Sequence, residues 1–252
     1  MNERRRAEEW RKRLREAGEE ELGELLARHL DDFDPGAARL AFRNPFLTGE
    51  MIEELVASRR LISAYEVRRA AAFHPKTPRL EALRFVEGLY WIDLVRLGTD
   101  TRLHPVVRRA ADRRLLERLA GLAVGERIAI GRLASQPVLG VLRNDPTPRV
   151  LGAVLENPRA TEGLLLPLAA SERAAPQALA TLAAHPRWGS RYPIRAALCR
   201  NPQTPLSKAL ALLPMLKKND LAAVANDPRL LLPVRRRAEL LAGGGGDRRS
   251  RR

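Results

Sequence analysis

The sequence predicts an all-α protein, a right-handed solenoid of helical hairpins, and three observations carry that expectation. Apolar residues recur at steps of three and four, as in Leu206, Ala209, Leu210, Leu213 and Leu216, with no strand-like alternation. Proline-bearing turns interrupt these runs at short intervals. Most informative, the chain repeats itself. Residues 60 to 111 lie over residues 187 to 238 at a shift of 127 without gaps, and 20 of the 52 positions are identical.

Residues 1 to 34 read as a charged N-terminal helical segment. Residues 1 to 16 hold seven basic and four acidic side chains, and residues 17 to 34 hold one basic and seven acidic, so a +3 stretch precedes a −6 stretch. Trp10, Leu14 and Ala17, then Leu22, Leu25, Leu26 and Leu30, give it an apolar stripe that breaks near Gly18. The segment is suited to cap the first repeat or to dock on a partner.

The solenoid itself is expected over 35 to 242, with duplicated units at about 44 to 114 and 171 to 241 and middle repeats at 115 to 170. In each copy a threonine precedes a proline, Thr77-Pro78 and Thr204-Pro205, which predicts an N-cap followed by the first helical residue. Asp220 is placed to cap a short helix through Val224, and Pro233 to open another. Related punctuation recurs at Asn44-Pro45, Asp145-Pro146 and Asn157-Pro158. Proline pushes the residue before it out of the helical region, so each of these ends one helix just before the next begins. Residues 243 to 252, GGGGDRRSRR, read as a flexible basic tail.

These hairpins, with Asn-Pro-x-Thr-Pro turns and Val-Arg-x-Ala helices, resemble the HEAT-like and leucine-rich-repeat-variant α-solenoids of bacteria over roughly residues 36 to 242. The resemblance implies a stacked helical array that serves as a scaffold. An iron-sulfur cluster is known in one leucine-rich-repeat-variant protein, but it needs several cysteines, and Cys199 is the sole one here. Some HEAT-like proteins are DNA glycosylases, although no catalytic motif of theirs aligns with this chain.

Composition bounds the function. The 252 residues, 45% hydrophobic, suffice for a sizeable core. Their net charge of +15 invites phosphate, an acidic protein or anionic lipid, yet 40 of the 45 basic residues are arginine, which also fits the codon habit of a GC-rich genome. A single cysteine, a charged rather than signal-like start and no apolar run of 18 residues lead to the expectation of a cytoplasmic protein without membrane insertion.

No catalytic motif emerges. Three of the histidines, His74, His104 and His185, directly precede a proline, and none pairs with another or with His29 at ligand spacing, so turn roles are expected. Cys199, in the run Ile-Arg-Ala-Ala-Leu-Cys, reads as a buried small hydrophobe. Nucleophile elbow, P-loop and dinucleotide fingerprint are lacking, so neither an enzyme nor a bound cofactor is expected.

The candidate partner-binding residues are Tyr65, Arg68, Arg187, Trp188, Arg191, Tyr192 and Arg195. Tyr65 with Arg68, and Tyr192 with Arg195, form the same i, i+3 pair 127 residues apart. Two readings stay open. The tyrosine could pack between hairpins while the arginine bonds a helix end or Asp220; alternatively, stacking could line these side chains into a basic, aromatic stripe. The expected function is a non-enzymatic scaffold binding an extended protein partner along one face; the alternative is nucleic-acid binding through an arginine-rich face and tail.

Overall fold

The computed structural model describes residues 10–243, all of them helix, turn or irregular chain, with no strand among the described residues. The expected basic tail lies outside them, apart from Gly243. Two compact units divide the chain, one ending at Ala120 and one beginning at Gly121.

The first unit opens with α1, described over 10–16, and α2, Glu19–His29, separated at the break near Gly18. Leu14, Leu22 and Leu26 are fully buried, so this charged segment contributes to the core of its unit. There follow α3 (Pro35–Ala41), α4 (Gly49–Ala57), α5 (Arg59–Ser63), α6 (Tyr65–Phe73), α7 (Arg79–Val86), α8 (Trp91–Thr99) and α9 (Pro105–Arg118). Helices touch both their sequence neighbours and the next but one: α4 meets α6, α6 meets α8, and α7 meets α9.

The second unit runs α10 (Val124–Leu133), α11 (Gln136–Leu142), α12 (Pro148–Glu156), α13 (Glu162–Ala170), α14 (Pro176–Ala184), α15 (Pro186–Gly189), α16 (Tyr192–Arg200), α17 (Leu206–Leu212), α18 (Lys218–Asn226) and α19 (Leu232–Gly243). Its even-numbered helices form one row, α10 on α12, α12 on α14, α14 on α16 and α16 on α18. On the odd side α11 meets α13 and α17 meets α19. Each layer hides its leucines against the next, about 1.5 to 3 kcal/mol per fully buried side chain. Leu179, Leu182, Leu198 and Leu213 are among them.

The shift of 127 residues holds for seven successive helix starts. Pro35, Gly49, Arg59, Tyr65, Arg79, Trp91 and Pro105 begin α3 to α9, and Glu162, Pro176, Pro186, Tyr192, Leu206, Lys218 and Leu232 begin α13 to α19. The duplication therefore extends upstream of the 52 aligned residues, where sequence identity fades but helix phase does not.

Asparagines fasten the layers. Asn201 Nδ2 donates to Ala169 O and Ser171 O, both at 2.8 Å, while its Oδ1 accepts the Gln203 N–H at 2.9 Å. Asn44 does the same to Leu14 O, Ala17 O and Phe46 N–H, and Asn157 to Gly131 O, Ala134 O and Arg159 N–H. All three are buried, and each amide meets carbonyls at the end of the preceding layer while locking its own turn. Asp100, Asp145 and Asp227 make the turn-locking half of this bond, each Oδ1 accepting the N–H two residues on.

Three local expectations are corrected. α7 and α17 start at Arg79 and Leu206, so Pro78 and Pro205 are themselves the capping residues and Thr77 and Thr204 lie outside the helices. Thr77 Oγ1 instead donates to Ala71 O at 2.7 Å, satisfying the end of the preceding helix. Asp220 is two residues inside α18, where it faces Tyr192 rather than capping; α19 opens at Leu232, one residue ahead of Pro233.

Candidate functional site

Most of the repeated aromatic and basic residues brace the fold. Tyr65, at the start of α6, donates to Asp93 Oδ2 at 2.6 Å and accepts the Tyr90 N–H at 3.1 Å, so it joins α6 to the start of α8. Its ring sits 4.3 Å from that of Tyr90. Arg68 donates to Ile62 O and Ser63 O, both at 2.8 Å, closing the end of α5. In the second copy Tyr192 donates to Asp220 and accepts the Lys217 N–H at 3.1 Å, and Arg195 donates to Ser190 O at 2.9 Å.

Burial and the hydrogen bond to Asp93 push the Tyr65 hydroxyl up to about 12. For Tyr192 the Asp220 carboxylate, followed by burial, acts in the same direction. Trp188 is 2% exposed and its Nε1 donates to Leu155 O at 2.8 Å, so its ring faces the interior. Arg187 and Arg191 are exposed, Arg187 lying 4.3 Å over the Trp188 ring. The structure thus gathers Tyr65 and Arg68 in one unit and Arg187, Trp188, Arg191, Tyr192 and Arg195 in the other.

The proline-preceding histidines lock turns: Nδ1 of His74 accepts the Lys76 N–H at 3.3 Å, and Nδ1 of His104 accepts the Val106 N–H at 3.2 Å. His185 Nδ1 accepts the Trp188 N–H at 3.4 Å. His29 stacks on Trp10 with ring centres 5.4 Å apart. Cys199 is buried, and desolvation pushes its thiol up to about 12, far from a reactive thiolate. Among the described residues no helix is long and apolar enough to cross a membrane.

A basic depression of about 350 Å³ in the first unit, between the end of α3 and α6, was not foreseen. Arg39 and Arg43 line it from α3 and the residues just after it, and Arg69, Phe73 and His74 from α6 and its end; Arg102 reaches it from the turn after α8. Arg39 and Arg43 are exposed and make no ion pair with a described residue. Arg69 Nε donates to Asp93 Oδ1 at 2.8 Å while its guanidinium carbon lies 5.1 Å from the centre of the Phe73 ring. Arg102 is fixed on Asp100 through Nε and Nη2, at 3.0 and 2.7 Å.

At the equivalent positions of the second copy stand Leu166 for Arg39, Ala170 for Arg43, Ala196 for Arg69, Arg200 for Phe73 and Asn201 for His74. Asp220 keeps a cation, because Arg200, one helical turn along, takes the part that Arg69 plays toward Asp93. The neutralised aspartate is common to both copies; the basic, aromatic depression belongs to the first alone. A comparison of the copies upstream of residue 60 would have exposed it, once helix phase supplied the alignment that identity does not.

No known protein family, curated protein or solved structure matches the chain.

Proposed function

We propose that the chain is a non-enzymatic interaction scaffold, built from right-handed HEAT-like solenoid segments and holding an extended segment of a partner protein along one face in the cytoplasm. One observation carries the reading: the two copies keep their helix phase and Tyr–Asp braces and change their surface. The Tyr–Asp pairs, Tyr65 with Asp93 and Tyr192 with Asp220, recur, while exposed Arg39 and Arg43 give way to Leu166 and Ala170. A surface that diverges while helix phase and the Tyr–Asp braces persist is free to acquire a binding preference of its own.

Photo-crosslinking in cells tests it, with the crosslinker placed at exposed positions of each unit. A discrete protein partner attached at one face is the expected result. Recovery of nucleic acid alone, or a turnover activity in the purified chain without any protein partner, would overturn the scaffold reading.

Nucleic-acid binding is the second reading. It is favoured by Arg59, Arg79, Arg109 and Arg113, which are exposed and make no ion pair with a described residue. Such cations release counterions when they meet phosphate, and the resulting affinity falls steeply with salt.

A further inference from the structure

The depression between α3 and α6 deepens the scaffold reading, on which it rests, because its chemistry selects a kind of partner. Its two unpaired cations stand on one wall, Arg39 and Arg43, four residues apart and so on one side of α3 and its continuation. Opposite them Arg69 and Arg102 are held by Asp93 and Asp100, which fixes their guanidinium groups in place without filling all five N–H donors of either. Phe73 and Pro75 add apolar surface to its lining. Such a site offers bidentate donors for carboxylates and an apolar strip for the side chains between them.

Arg39 and Arg43 are not required by the fold. Leucine and alanine occupy the positions of Arg39 and Arg43 in the second copy, where α13 begins in the same phase as α3. The helix end already gains from one cation near its carbonyls, but two exposed arginines facing an open depression exceed that need.

We propose that this depression seats an acidic, extended segment of a partner protein, whose carboxylates pair with Arg39 and Arg43 while an apolar side chain rests on Pro75. A nucleic-acid strand fits it less well. Exposed Glu66 in its lining interrupts the positive charge, which an extended peptide can meet with a neutral side chain and a continuous run of phosphates cannot, and Arg69 already lies over the Phe73 ring where a base would stack.

The test uses the full chain and a fluorescein-labelled eight-residue peptide of alternating glutamate and leucine, beside the same peptide with glutamine in place of glutamate. Fluorescence anisotropy should show the acidic peptide binding and the glutamine peptide not. The double substitution Arg39→Leu with Arg43→Ala, which copies the second unit, should weaken binding by about tenfold or more with an unchanged circular-dichroism melt. The control Arg236→Ala with Arg237→Ala, exposed arginines of the other unit, should leave it unchanged.

Equal binding of the glutamine peptide, no binding of the acidic one, or full binding by the double variant would overturn the assignment. So would a single-stranded oligonucleotide that displaces the peptide and is itself lost in the double variant, which would give the site to nucleic acid. If the peptide fails while a protein still crosslinks to the chain, the groove assignment falls and the scaffold reading stands. Loss of every protein crosslink with the peptide bound would reverse that outcome.

Discussion

Asn201 uses every polar atom of one amide, giving two hydrogen bonds to the preceding layer and receiving one from its own turn. Truncating it leaves the Ala169 carbonyl without that partner in a buried place, whereas half-buried Ser171 O keeps the Ala174 N–H. Asn201→Ala is expected to cost about 2 to 4 kcal/mol, read as a lower urea midpoint. Tyr65 makes a second residue-scale prediction. Its folded-state pKa of about 12 exceeds the ordinary value of 10, so between these values the folded chain holds a proton that the unfolded chain has lost. Stability from this group is complete below pH 10 and declines as pH climbs toward 12. Tyr65→Phe should flatten that alkaline decline in a melt-versus-pH series. Asn-Pro was readable as a turn, but the long reach of its amide was not, because Asn44 meets a carbonyl 30 residues upstream and only stacking brings the two together.

Among elements, helix phase was the most legible feature. The steps of three and four, the prolines and the 127-residue shift predicted helices that the structure shows, and seven starts obey the shift. Cap identity was less legible, since a Thr-Pro pair can serve the helix before it or the one after it, and Thr77 serves the one before. Close packing between elements was hidden altogether. A Cβ on Gly98 in α8 would overlap Asp112 Oδ1 of α9, and the equivalent positions in α18 and α19 carry Ala225 and Glu239. The pair has changed together, a small residue beside a short buried acid against a larger residue beside an exposed longer acid. Gly98→Ala should therefore destabilise by about 1 to 3 kcal/mol, whereas Ala225→Gly should cost only the roughly 0.5 to 1 kcal/mol of helix propensity. Paired thermal melts of the two variants would distinguish the costs.

For the molecule as a whole, the +15 charge divides into different employments. Arg60, Arg118, Arg143 and Arg235 donate to backbone carbonyls, as do Arg68 and Arg195, so part of the excess completes helix ends and bridges layers. Composition cannot separate these from Arg39 and Arg43, because the distinction lies in what each guanidinium touches. The candidate stripe of tyrosine and arginine was legible as a repeated pair with a bracing reading open; the sequence offered Asp220 to the arginine, whereas Asp220 accepts from Tyr192 and Arg195 bonds the helix end at Ser190 O. If carboxylates of a protein are the intended ligands, duplex DNA held in dilute buffer should be released by physiological salt, with the affinity falling along a log–log slope of about −0.9 per phosphate contacted. A filter-binding titration reads this directly, and retention at that salt would favour the nucleic-acid reading.

The asparagine fastenings have a mechanical corollary. Each hitches a layer only to the one before it, so a unit under tension has no single clasp whose rupture frees the rest. Stretching Asn157 and Asn201 apart in an optical trap should produce a series of small yielding steps, one hairpin at a time, rather than one abrupt snap.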